Sequence, residues 1–208
     1  MNSNLCYLRI LNAVPGYLTF DVYINDKIYV SGLSYKNFSD YFSLSDQNYN
    51  FKIYVSGNRT NLLFEKDIDL YAQKIYTLAI IGEYNLSSFN LELIDDRLHE
   101  TNKNFSYIRF INLSPTLMEV DILLNNQLII SNLSYSTYSN YLELAPNIYN
   151  LKVYESDLNQ NNLILQNPNM KLNPSKIYSA YIVGTYQSNF NQTQILLPLE
   201  GATYLTFK

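Results

Sequence analysis

A chain of 208 residues, 47% hydrophobic and only 15% charged, has ample apolar material for packed cores, so wholesale disorder is excluded. A net charge of −4 with no Lys/Arg run excludes the basic face of a nucleic-acid binder. Cys6 is the single cysteine, which excludes intrachain disulfides and thiolate metal clusters.

Leu5 to Ile10 already reads as a strand behind Met1–Asn4. There is no basic segment followed by an apolar one, so no signal peptide is expected in this chain. The expected address is cytoplasmic synthesis, or the cell surface if a leader has been removed. Further on, Phe20 to Asn25 alternates apolar and polar residues as a half-buried strand does, and Asn25-Asp26 turns it into Ile28-Tyr29-Val30. Asn125-Asn126 does the same ahead of Leu128-Ile129-Ile130, because Asn and Asp tolerate the left-handed backbone of tight hairpins. Tyr49 to Val55 is another strand, with Tyr49, Phe51, Ile53 and Val55 on one face. Ile75 to Ile81 is apolar on both faces, as a central strand covered on two sides should be. No segment has a convincing helical period, and no run approaches the roughly 18 apolar residues of a membrane span.

The second half repeats the first. At an offset of one hundred, Tyr7, Arg9, Asn12, Pro15, Asp21 and Asn25 meet Tyr107, Arg109, Asn112, Pro115, Asp121 and Asn125. Leu33-Ser34-Tyr35 meets Leu133-Ser134-Tyr135, and Tyr41, Leu44, Tyr49, Asn50, Lys52 and Tyr54 follow suit. Roughly a third of the positions agree without a gap, far above chance. After a two-residue insertion Lys74-Ile75-Tyr76 meets Lys176-Ile177-Tyr178, and Gly82 and Tyr84 meet Gly184 and Tyr186. A period of this length exceeds a solenoid unit of about 20–50 residues and suits a self-contained sandwich. The reading is all-β: two tandem Ig-like antiparallel β-sandwiches of seven to eight strands each. They are expected over residues 1–95 and 106–208, joined by a polar linker over 96–105.

The order of these motifs resembles the bacterial domain family DUF4397. The family pattern is an Arg-containing strand, a His/Asn-Ala-Ser-Pro loop, a Val-Asp-Val-Tyr-Val-Asp-Gly hairpin, a Tyr-containing stretch and a Gly-Thr-Tyr strand. Tyr7 to Pro15, Phe20 to Asn25, Leu33 to Tyr35, Tyr41 and Tyr49 carry the resemblance, and Tyr107 to Tyr154 repeats it. The departures are Asn12 and Asn112 for the loop His, Gly16 and Thr116 for the acidic residue after the Pro, and Asp26 and Asn126 for the hairpin Gly. They weaken any His/Asp metal or acid–base site. The resemblance implies a fold and a tandem arrangement, commonly on exported proteins, but no activity.

The residue inventory holds little for catalysis. The sole histidine, His99, falls in the expected linker without a counterpart and reads as a solvated side chain. Cys6 aligns with Ser106 and reads as a small, partly buried hydrophobe. No GxSxG, Walker A or GxGxxG occurs, and six Gly cannot easily build a phosphate cradle. Seven Asn-X-Ser/Thr triplets, at Asn37, Asn58, Asn85, Asn104, Asn112, Asn132 and Asn191, read as chance in so Asn-rich a chain.

The charges retained in both copies, Arg9 with Asp21 and Arg109 with Asp121, are expected to form structural ion pairs between neighbouring strands. The sharper alternative makes Arg9 an anion ligand beside the Asn12–Pro15 loop. Asn50, Lys52 and Tyr54, with Asn150, Lys152 and Tyr154, form an outward stripe that could bind glycan or peptide, though Tyr is also simply suited to a wet strand. The expectation is a non-enzymatic bacterial structural or interaction protein without metal or cofactor. Its expected partner is protein, through self-association or an assembled layer such as a spore coat. The alternative is a surface module binding carbohydrate or peptide through the Tyr/Asn face or the Asn-x-x-Pro loops.

Overall fold

The computed structural model describes residues 4–16, 18–83, 88–96, 102–156, 162–186 and 192–207. The chain divides into two compact units, Met1–His99 together with Tyr204–Lys208, and Glu100–Thr203. Tyr204–Phe207, at the end of the described residues, therefore group with the first unit.

In the first unit the strands are β1 (Leu5–Asn12), β2 (Phe20–Ile24), β3 (Lys27–Leu33), β4 (Phe42–Ser45), β5 (Gln47–Val55), β6 (Leu62–Leu70), β7 (Ile75–Ile81) and β8 (Asn90–Asp95). They form two four-stranded sheets, β4-β1-β7-β8 and β3-β2-β5-β6. The second unit runs β9 (Ser106–Asn112), β10 (Glu119–Leu124), β11 (Gln127–Ser134), β12 (Thr137–Tyr138), β13 (Leu142–Leu144), β14 (Asn147–Glu155), β15 (Leu163–Leu172), β16 (Ile177–Val183) and β17 (Gln194–Leu196). Its sheets are β11-β10-β14-β15 and β12-β9-β16-β17, with β13 also on β9. The short β12 corresponds to an isolated bridge between Leu11 and Phe38 in the first unit. Among the described residues the second unit therefore has one strand more than its twin, and one more than expected. No α-helix occurs among the described residues.

Alternation sorts the side chains. Leu8 and Ile10 of β1 face Phe20, Val22, Ile24, Phe51 and Ile53 across the first sandwich. Ile108, Phe110, Val120, Ile122, Leu151 and Val153 repeat the arrangement in the second. All seven residues of β7, and all seven of β16, are buried, as their doubly apolar sequence demands. One feature departs from a purely antiparallel sandwich: β1 runs parallel to β7, and β9 parallel to β16. These partners are far apart in sequence, so the chain can cross between sheets before returning.

The two hairpins close as their turn residues require. Asn25 and Asp26 take φ of 48° and 63°, and Asn125 and Asn126 take 50° and 66°. Two consecutive left-handed residues match the twist of a two-residue hairpin. The Asn25 and Asn125 side-chain oxygens then accept from the Asn50 and Asn150 amides, tying each turn to the next strand.

Candidate functional site

The repeated arginines sit in a buried polar cluster in each unit, but their partners differ from those expected. β1 and β2 lie in opposite sheets, so Arg9 and Asp21 are not cross-strand neighbours. Asp21 instead accepts from the Ser31 hydroxyl (2.9 Å), the Gly32 amide (2.8 Å), the Ser56 hydroxyl (2.8 Å) and the Gly57 amide (3.0 Å). Burial alone would raise its pKa, and these four bonds more than offset it, holding the carboxyl below its ordinary value. Asp121 accepts from the Asn132 amide and the Ser156 hydroxyl in the same way. The expected Arg9–Asp21 and Arg109–Asp121 pairs are thus replaced. Each Asp pins the irregular edge hairpin of its own sheet, where Gly32 and Asn132 take left-handed conformations.

Arg9 instead meets the strand beside it. Parallel pairing sets it opposite Thr77, and its Nε donates to the Thr77 hydroxyl at 2.9 Å. That hydroxyl and the Tyr41 hydroxyl both donate to Asp96 Oδ2, at 3.3 and 2.9 Å. The guanidinium lies over the rings of Phe38 and Tyr41 at 4.6 and 4.9 Å. The second unit rebuilds this with different residues. Arg109 Nε donates to Ser179 (2.9 Å) and lies 3.0 Å from Glu200 Oε1. Ser179 and Tyr141 both hydrogen-bond Glu200, and Tyr138 and Tyr141 flank the guanidinium. Arg109 is 1% exposed and Glu200 0%, so the charges are secluded from water.

Asp96 and Glu200 are equivalent because each follows the residue opposite the same strand position: Asp95 opposite Tyr76, and Leu199 opposite Tyr178. Asp96 stands at the first position of the expected linker, yet it is 1% exposed and its amide donates to Ile75. His99 lies outside the described residues, as do Asn85 and Asn191.

The loop asparagines are latches. Asn12 donates through Nδ2 to the Leu33 carbonyl (3.0 Å) and accepts from the Val14 amide (3.1 Å). Asn112 binds the Leu117 and Leu133 carbonyls and the Ser114 amide likewise. Their polar atoms face inward, so the Asn12–Pro15 and Asn112–Pro115 loops are held from within. Cys6 is buried and its thiol donates to the Leu44 carbonyl. Burial raises its pKa most strongly, which keeps it a thiol.

The Asn50–Lys52–Tyr54 stripe does lie opposite the core-facing one, but its groups are engaged. Asn50 donates to Glu65 and Asp67, and Lys52 pairs with Asp26 at 2.8 Å. Tyr54 is only 8% exposed and packs edge-on against Tyr23. Lys152 bonds Asn126, and Asn150 accepts from Gln166, while Tyr154 is half-buried.

Concave surface lies elsewhere. A groove of about 400 Å³ in the second unit is lined by Thr116, Met118, Glu119, Tyr135 and Glu155, beside the Asn112–Pro115 loop. A hollow of about 270 Å³ in the first unit is lined by Arg9, Ser39, Asp40, Tyr41, Tyr204 and Leu205. Among the described residues no group of three or more His, Cys, Asp or Glu is placed to hold a metal ion. No helix there is long and apolar enough to cross a membrane.

No curated protein matches the chain. Among solved structures, one described as "Alpha-glucan binding by a streptococcal virulence factor" aligns over 97% of this chain and 99% of its own, at 10% identity and a TM-score of 0.28. A leucine-rich repeat protein from Bacteroides thetaiotaomicron VPI-5482 aligns over 88% of this chain and 27% of its own, at 9% identity and a TM-score of 0.24. The model of the "Domain of unknown function (DUF4397)" matches twice, over residues 6–117 and 106–201. The chain, with the Arg strand, Asn latch and Asp-pinned hairpin in each unit, belongs to the DUF4397 family and carries its domain in tandem.

Proposed function

We propose that the chain is a non-catalytic structural and interaction protein of bacterial origin, a building unit of an assembled protein layer such as a spore coat. One observation carries this reading: the buried charged and amide groups retained in both units are engaged in holding shape. Arg9, Asn12 and Asp21, like Arg109, Asn112 and Asp121, each bond groups of their own unit. A catalytic constellation would gather several such groups in one pocket, whereas the hollow that Arg9 borders is lined by neither Asn12 nor Asp21.

What is retained outside is edge. β3 and β11 border their sheets, and of their residues only Lys27 is charged. Ile28, Tyr29 and Leu128 are exposed along them. The opposite edges are blunted, β6 by Glu65, Lys66, Asp67 and Asp69, and β15 by Pro168. Open, weakly charged edges favour strand-to-strand association between copies. The test is sedimentation over a concentration series, alongside the paired change Ile28→Lys with Leu128→Lys, at the exposed equivalent positions of the two edges. Assembly that grows with concentration and falls at least about tenfold in the lysine variant supports the reading. Protein that stays monomeric at every concentration, and is absent from spore-layer extracts, overturns it.

A further inference from the structure

The segment that ends the described chain, Tyr204–Phe207, belongs to the first unit although it follows directly on the second. It lies between two rings of that unit. Phe207 packs against Tyr7 with centroids 5.2 Å apart, and Tyr204 meets Tyr41 edge-on at 6.2 Å. The Tyr7 hydroxyl donates to the Thr206 carbonyl at 3.3 Å.

The first unit is specialised to receive this segment. In the second unit the equivalent Tyr107 hydroxyl donates to Glu143 at 2.6 Å, the residue across the strand pair. In the first unit the residue opposite Tyr7 is Ser43, which leaves the hydroxyl turned to the segment. The hold is light. Tyr204 is 56% exposed, Thr206 is exposed, and a hollow of about 270 Å³ remains between the segment and Arg9 and Tyr41. A segment with few buried contacts opens at low cost.

We propose that the Tyr7–Tyr41 groove is a docking site for the Tyr204–Phe207 segment of a second copy, exchanged for the chain's own. Groove and segment are different surfaces, so the contact is head-to-tail and propagates into open chains unless the rotation closes a ring. The chain's own segment wins in dilute solution, because tethering gives it an effective concentration in the millimolar range. Crowding of copies in a layer removes that advantage. This mode rests on the assembly reading above and names its connecting contact.

The test mixes two full-length variants, both carrying Cys6→Ser, the residue the second unit has at that position. One adds Tyr7→Cys and the other Phe207→Cys, and a short bismaleimide traps them. The expected product is a 7–207 cross-linked dimer, identified by peptide mapping, that is sparse at micromolar protein and rises with concentration. A synthetic peptide of residues 203–208 in excess should suppress it. Since the thiols replace two contacting rings, the same peptide added to otherwise unaltered protein is a second arm, expected to reduce oligomers by sedimentation. Assembly that proceeds with no 7–207 product and is indifferent to the peptide overturns the docking site while sparing the assembly reading. Absence of assembly at every concentration overturns both.

Discussion

A guanidinium stays charged at any pH a protein meets, so burying one obliges the fold to bury a carboxylate and enough hydroxyls to satisfy both. In the second unit Arg109 meets that obligation with Glu200, Ser179 and Tyr141. Taking away one partner leaves the other charge unmatched in an apolar setting. Glu200→Gln should therefore destabilise the second unit by about 3–5 kcal/mol, read from denaturant midpoints. Replacing both members, Arg109→Met with Glu200→Leu, should recover most of that loss, because two apolar side chains need no partner. A single change that costs under about 1 kcal/mol would mean that the cluster does not anchor the second unit. The acid at this position was hidden in the sequence because the register between copies drifts. The offset is 100 at Arg9, 102 at Thr77 and 104 at Asp96, so a comparison at fixed spacing loses the third member. Two hydroxyl residues and two acids, one after each unit's last long pairing with β7 or β16, were the signal available.

At the scale of elements, alternation and turn chemistry made the strands legible. Asn25-Asp26 and Asn125-Asn126 turn where expected, and Tyr49 to Val55 buries the face its apolar residues occupy. What alternation cannot report is which sheet a strand joins. Arg9 and Asp21 are on consecutive strands, and consecutive strands often pair, but here the Asn12–Pro15 loop carries the chain across the sandwich. Asp21 then serves its own sheet by gathering β3 and the segment after β5 around one carboxylate. Its pKa is lowered from an ordinary 3.8, so its contribution to stability is complete above that value. It is lost as pH falls through the lower folded-state value. Asp21→Asn should be less stable than the parent at neutral pH by about 1–3 kcal/mol, with the gap unchanged down to about pH 4 and closing below it. Parallel acid-denaturation curves of the two proteins, with the gap still open at the lowest pH, would refute this assignment.

At the scale of the whole molecule, duplication supplies two cores built from separate parts of the chain, one around Phe20 and Phe51 and one around Phe110 and Leu151. A lesion in one core should stay there: Phe20→Ala should cost the first unit about 3–5 kcal/mol. The segment Tyr204–Phe207 breaks the correspondence between sequence order and unit, since the end of the described chain completes the beginning. Nothing in the repeat announces this, because residues after Glu200 have no matching stretch within the first unit's described residues. The two rings of the segment touch Tyr7 and Tyr41, on β1 and just before β4. Paired Tyr204→Ala and Phe207→Ala should thus speed amide hydrogen exchange across β1 and β4 while leaving β9 and β13 unchanged. The change should be modest, about 1 kcal/mol in opening free energy, because the contacts are few and half exposed. Faster exchange confined to the second unit, or none in either, would show that the segment does not brace the first. A loss spread evenly over both units would show that it braces the molecule as one body, and then a copy releasing its segment to a neighbour would loosen both sandwiches instead of one.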